Sequence, residues 1–264
     1  MTTKEKSSKR RLIASVQRAL DIINLFNNEH VELGNAEIAK LLGLPIGTAS
    51  GLIYTLKVNN YLDQNPANRK YRLGLRLAER AAVLLDQMDI RKIAAPYLEN
   101  LRDWSGESIN LAMRDGREVV YIERLFGHHS LGIRSELGKR GPLHSTALGK
   151  AILSNLSVSE LTAILDSYQF FSITPHTIVD PDQFIAELEK SKKRGYAIDD
   201  QENELGGRCV GAAIFDHTGN PVAAISISVP IQRLPECDVE KFGTRLKETV
   251  DAISRNMGFS GNHS

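Results

Sequence analysis

Residues 34–61 read GNAEIAKLLGLPIGTASGLIYTLKVNNY, and the order of apolar residues and helix breakers in this stretch leaves few folds open. Ala36, Ile38, Ala39, Leu41 and Leu42 recur at helical spacings and predict a short helix with one apolar face. Gly43 ends that helix, because glycine enters the left-handed turn conformation at little steric cost. Leu44 packs back, and Pro45 suits the first turn of a second helix, whose stripe is Leu52, Ile53 and Leu56. Two short helices joined by a glycine-containing turn form a helix-turn-helix, whose second helix can enter a DNA major groove. The same pattern also serves an ordinary helical hairpin in a globular core. The flanks favour the first reading. Tyr61–Gln64 and Lys70–Leu73 alternate apolar and polar residues around Asn65-Pro66-Ala67-Asn68-Arg69, a β-hairpin where a winged helix-turn-helix carries its wing.

Charge follows the same division. The chain has 264 residues and a net charge of +1, but residues 1–74 carry +5 and residues 75–264 carry −4. A positive front end suits phosphate contact, although a charge of this size is also an ordinary solvated surface. The polar, basic start MTTKEKSSKRRL lacks the apolar core of a signal peptide, and no apolar run is long enough to span a bilayer. Cytoplasm is the default expectation. Cys209 and Cys237 are the two cysteines, too few and too far apart for a disulfide framework or a zinc site. No metal and no cofactor are expected.

A helix over residues 15–28, capped by Ser15 with Val16, Ala19, Leu20, Ile23 and Phe26 inward, would support the helix-turn-helix. Residues 1–11 read as a basic disordered arm and 12–74 as the winged domain. Residues 75–89 read as a linker helix with an apolar stripe, and 90–259 as a second domain. Such a stripe either packs on a second copy of the chain or folds back on its own domain. Asp89 can cap a helix from Ile90 to Trp104, with Ile93, Tyr97 and Leu101 inward. Strands follow at Ser108–Met113, Glu118–Leu125 and Leu131–Ser135, then a loop at residues 138–142. Helices are expected at Ser145–Leu153, at 157–166 with a Ser157/Glu160 capping box, and at Pro181–Lys193. Strands at Tyr196–Asp199, Cys209–Asp216 and Pro221–Val229 precede a last helix at Val239–Met257. This order predicts an α+β domain whose mostly antiparallel sheet is covered on one side.

Three segments of the second domain combine small, polar and glycine residues: HSTALGK at 144–150, residues 195–209, and AISISVP at 224–230. Alternate strand residues share a face, so Ser226 and Ser228 point one way and Ile225, Ile227 and Val229 the other. Paired serines on an apolar strand suit a ligand pocket. Free N–H groups at the start of the Ser145 helix and around Cys209 would favour a carboxylate, and Asp199 could accept a ligand hydroxyl. Equally, strand serines often pair with backbone and Cys209 can be a small buried apolar residue. No catalytic constellation emerges. Leu148-Gly149-Lys150 is no P-loop, and Ser145 lies in no nucleophile elbow. His128, His129 and His144 lack metal-ligand spacing and read as loop residues, and Glu202 and Glu204 show no acid/base partner.

The stretches SVQRALDIINLF, AEIAKLLGLP, YLDQNPANRKYRLG, GPLHSTALGKAIL, RGYAIDDQENELGGRCVGAAIFD and VAAISIS together resemble the IclR family of bacterial transcriptional regulators over nearly the whole chain. The resemblance implies an N-terminal winged helix-turn-helix, a GAF-like α/β effector-binding domain, DNA-bound dimers or tetramers, and a small organic acid as effector. Carried over by motif, effector contacts fall on Thr146, Ala147, Leu148, Asp199, Cys209, Ser226, Ile227 and Ser228. The recognition helix departs from the family pattern G-L-P-K-S-T-V-x-R-L-L: Ile46, Gly47 and Gly51 stand where lysine, serine and arginine are common. Each glycine costs about 1 kcal/mol relative to alanine and removes a contacting side chain. Thr48, Ser50, Tyr54 and Lys57 remain as candidate DNA contacts, with Arg69 and Lys70 on the wing. DNA binding is therefore expected to be weaker per site or altered in preference.

The reading is a repressor of a catabolic operon, working on double-stranded operator DNA and controlled by a small carboxylate that changes the spacing or orientation of paired DNA-binding domains. The rivals are an enzyme acting on small acids, and an interaction module that does not bind DNA.

Overall fold

The computed structural model describes residues 12–129 and 136–261; the basic arm and the strand expected at Leu131–Ser135 lie outside them. The chain divides after Gln87 into two compact units.

The first unit begins with α1 (Ala14–Asn24), α2 (Asn35–Leu41) and α3 (Ile46–Val58). Its core is Ile22, Ile38, Ala39, Ala49, Ile53, Leu56 and Leu62, with Phe26 and Leu33 at the margin. Gly43 takes φ +61° between α2 and α3, as a tight turn requires. β1 (Leu62–Gln64) and β2 (Tyr71–Leu73) pair antiparallel as the wing. Glu32 accepts from the side-chain amides of Asn65 at 2.9 Å and Asn68 at 2.7 Å, which pins the wing turn to the segment before α2. Helix α4 (Arg76–Asp86) completes the unit.

Several expectations change here. Ser15 does not cap α1; Ile13 holds the N-cap position, with no side-chain bond. The inward face is turned, so Ile22 is fully buried while Val16 and Leu20 are 54% and 50% exposed. Leu41 is half exposed and Ala36 is exposed, because seven residues of α2 expose all but one stripe.

The second unit opens with α5 (Asp89–Ser105), whose first helical residue is Asp89 rather than a cap. Next come β3 (Ser108–Asp115), β4 (Glu118–Leu125), β5 (Arg140–Pro142), α6 (Ala147–Leu153), α7 (Val158–Leu165) and α8 (Pro181–Arg194). β6 (Ala197–Asp200), β7 (Gly207–Phe215), β8 (Pro221–Pro230) and α9 (Val239–Asn256) close the unit. The six strands run β5-β4-β3-β8-β7-β6, every pair antiparallel. Two local signals appear where the residues place them: the Ser157/Glu160 capping box, and Gly195 at φ +82° ending α8.

The sheet is covered on both faces, not one. Ile109, Leu111, Ile225, Ile227 and Val229 pack with Leu98 and Leu101 of α5 and Leu246 and Val250 of α9. Ala112, Val119 and Ala224 face the other way, toward Leu148, Ile152 and Phe184. The central strands are accordingly buried on both sides. The expected loop at 138–142 contains β5, held to β4 through Glu118 and Val120. Helix α6 lies unusually close to the sheet: a methyl added at Gly211 would stand 2.5 Å from the Ala147 carbonyl oxygen.

Candidate ligand cavity and nucleic-acid surface

The second unit holds a cavity of about 270 Å³ between the start of α6 and the face of the sheet away from α5 and α9. Thr146, Ala147, Leu148, Asp199, Cys209, Ser226 and Ser228 all line it. Ile227 does not. Its side chain is fully buried in the core shared with α5 and α9, because a strand's period of two sends it opposite to Ser226 and Ser228.

Thr146 caps α6, accepting the Gly149 N–H at 3.1 Å and donating its hydroxyl proton to Pro142 O at 2.7 Å. The first N–H groups of a helix have no partner within it, so Ala147 and Leu148 bring main-chain donors to the cavity margin. Asp199 Oδ1 accepts the N–H groups of Glu202 at 2.8 Å and Asn203 at 3.2 Å, which folds residues 200–206 over the cavity. Burial pushes the Asp199 carboxyl up to about 7, against the pull of Lys150. Burial also raises the Cys209 thiol and the Tyr121 phenol, so both stay protonated. Glu202 forms a buried ion pair with Lys150.

Asn110, Tyr121, Arg140 and Asn203 also line the cavity and are absent from the sequence expectations. Asn110 alternates with Ile109 and Leu111, the same signal that singled out the serines of β8. Tyr121 gave no such signal, because Val119, Val120 and Ile122 around it are all apolar and no alternation marks its face. Arg140 is bound to Asp115 and Glu118. His144 lies in the turn between β5 and α6. It is fully buried, with Nε2 donating to Phe171 O at 2.9 Å and Nδ1 accepting from the Tyr168 hydroxyl at 3.0 Å. Burial holds its pKa below the usual histidine value. Among the described residues no cluster of three or more His, Cys, Asp or Glu side chains is placed to hold a metal ion.

In the first unit the outer face of α3 presents Thr48, Tyr54 and Lys57, with Tyr54 67% exposed. Lys57 donates to Gln64 Oε1 at 2.8 Å. Methyls added at Gly47 or Gly51 would meet nothing within 4 Å, so this part of the face is open. Ser50 is otherwise engaged: it donates to Ile46 O at 2.7 Å and accepts from Asn35 Nδ2 at 2.7 Å, tying α3 to α2. Lys70 pairs with Glu37 at 3.2 Å, so its charge braces the wing against α2. Arg69, at φ +62°, is exposed on the wing turn. Among the described residues no single helix is long and apolar enough to cross a membrane.

A winged helix-turn-helix, followed by an α+β unit with a small polar cavity, is the architecture of a one-chain regulator with a DNA-binding part and a ligand-binding part. Residues 15–66 match the IclR helix-turn-helix domain, and residues 82–255 match the C-terminal domain of bacterial transcriptional regulators of the IclR type. The chain belongs to the IclR family. It is 38% identical over 248 residues to the HTH-type transcriptional regulator XynR of Escherichia coli K12, covering 94% of this chain and 98% of that one. It is 31% identical over 244 residues to the HTH-type transcriptional repressor AllR of the same strain, covering 92% and 90%. The crystal structure of the Thermotoga maritima IclR superimposes with a TM-score of 0.79 at 34% identity, covering 93% of this chain and 99% of that one. The protein is thus a DNA-binding transcriptional regulator and not an enzyme.

Proposed function

We propose that this regulator represses a catabolic operon in the cytoplasm and is released when a small carboxylate enters the cavity. Effector contacts are assigned to Thr146, Ala147, Leu148, Asp199, Cys209, Ser226 and Ser228. Thr48, Tyr54, Lys57 and Arg69 contact DNA. Residues 12–74 bind the operator, 75–89 link, and 90–259 sense. The observation that carries the reading is the cavity of about 270 Å³, sized for a compact acid and lined by hydroxyl groups and helix-start amides. The repressor reading draws on AllR, which bears that description.

The working form is a homodimer, or a tetramer made of two such dimers. Val16 and Leu20 of α1 and Val83 and Leu84 of α4 are exposed apolar residues that a second copy would cover. Effector binding then shifts the balance between two arrangements of the paired DNA-binding units, which needs only ~1–3 kcal/mol of coupling.

The test joins two measurements on the full chain. Thermal shift is recorded against glycolate, pyruvate, D-gluconate and benzoate, and retention of the promoter upstream of its own gene is followed with and without each acid. An acid at 100 times its dissociation constant adds about 2.7 kcal/mol. At least one acid should both stabilise the protein and release the DNA. Release without stabilisation, or retention unaffected by a stabilising acid, removes the proposed link.

A further inference from the structure

Asn110 on β3 stands directly opposite Ser226 on β8. Its amide Nδ2 donates to Ser228 Oγ at 3.1 Å and to Ser226 Oγ at 3.4 Å. Cys209 on β7 stands opposite Ser228, and its thiol donates to the same Ser228 Oγ at 3.2 Å. A serine hydroxyl carries one proton and two lone pairs. Both lone pairs of Ser228 are therefore occupied from the flanking strands, and Ser226 accepts from Asn110 as well. Ser228 is left with its proton alone, and Ser226 with its proton and one lone pair. No hydrogen bond among the described residues takes either proton, and both side chains line the cavity.

The consequence is chemical selection. Two neighbouring O–H groups already supplied with donors take an acceptor next. A carboxylate is all acceptor, and its bonds from hydroxyl donors are short and strong. A carboxamide replaces one acceptor oxygen with an N–H₂ group, for which the two hydroxyls leave only the second lone pair of Ser226. Charge orients the ligand in the same sense. Asp199 follows Ser228 and Cys209 in one row across the sheet, on β6. Two strand spacings of about 4.8 Å separate it from Ser228. An anionic group is better placed on the serines than beside that acid.

We infer that Asn110 is the positioning residue that fixes Ser226 and Ser228 as donors, so that the cavity floor selects a carboxylate and holds it at the β3–β8 side, with the rest of the ligand directed toward Asp199. This rests on the cavity being the effector site.

Calorimetric titration of the full chain tests it, using glycolate, pyruvate, D-gluconate and benzoate, each beside its uncharged amide. The variants are N110L and N110A, both without side-chain donors; N110A serves if the larger leucine prevents folding. For any acid that binds the parent, the ratio of acid to amide affinity should fall about tenfold in either variant, because free serine lone pairs now accept from the amide and the hydroxyl protons are no longer aimed. A general loosening of the cavity would weaken acid and amide together and leave that ratio unchanged, which overturns the inference. If no acid binds the parent, the cavity reading itself fails and the inference falls with it, an outcome seen before any variant is made.

Discussion

Lys150, from the middle of α6, and Glu202, from the segment after β6, form an ion pair with both side chains withdrawn from solvent. The second carboxylate oxygen, Glu202 Oε2, has no hydrogen-bond partner among the described residues. The pair therefore joins α6 to the segment that covers the cavity, and it is held mainly by charge. Breaking a buried pair by removing one partner leaves an uncompensated charge and costs about 3–5 kcal/mol, whereas removing both charges is far milder. K150M should lower the urea midpoint by that order, and K150M/E202Q should recover most of the loss. Equal midpoints for K150M and the parent would show that the pair holds nothing.

Asp199 gives a pH dependence whose sign follows from its burial. Its folded pKa of about 7 lies above the ordinary 3.8. Between those values the folded chain keeps a proton that the unfolded chain releases. The contribution is full below pH 4 and is lost as pH rises to about 7. Glu202, also raised by burial, acts in the same direction. D199N removes the Asp199 share, so the urea midpoint of the variant minus that of the parent should grow from pH 4 to pH 7 and then level off. For a bound carboxylate the sign is the same. Affinity should be flat below pH 7 and decline above it, approaching tenfold per unit if Asp199 must hold its proton.

On α3, a side chain at position 51 has open space. G51R should strengthen operator retention in a mobility shift, because a new cation gains a phosphate contact and the helix loses a glycine worth about 1 kcal/mol. The gain should shrink as salt is raised. No gain at any operator sequence would show that this face does not meet the phosphate backbone.

Gly211 tests how tightly α6 must sit. A methyl there meets the Ala147 main chain at 2.5 and 2.6 Å, and backbone cannot yield as a side-chain tip can. G211A should cost about 1–3 kcal/mol in urea unfolding and weaken whichever acid binds the parent. Unchanged stability with unchanged binding would mean that α6 can lift without consequence.

What could be read in advance was local. The turn at Gly43, the Ser157/Glu160 box and the end of α8 at Gly195 depend on neighbours a few residues away. The division of β8 into a serine face and an isoleucine face depends only on strand period. The parts that escaped depend on distant partners. Ser50 is taken up by Asn35, fifteen positions back, and Lys70 by Glu37. Lys150 and Glu202 are 52 positions apart, and nothing in either neighbourhood announces the other. Tyr121 lies in the apolar run at residues 119–122, which marks no face, and β5 is only three residues long. Asn110 was within reach of the alternation argument, since it differs from the serines only in lying on a strand whose other residues drew no notice.

Strand β8 has consequences for how such a regulator changes over generations. Ala223, Ile225, Ile227 and Val229 bed the helices α5 and α9, and Ser226 and Ser228 furnish the floor beneath any guest. Mutational drift that adapts the chain to a new metabolite must therefore work through the same ten-residue ribbon that supports those helices. The specificity of the cavity and the seating of two helices are written on opposite sides of one strand, so neither changes without strain on the other.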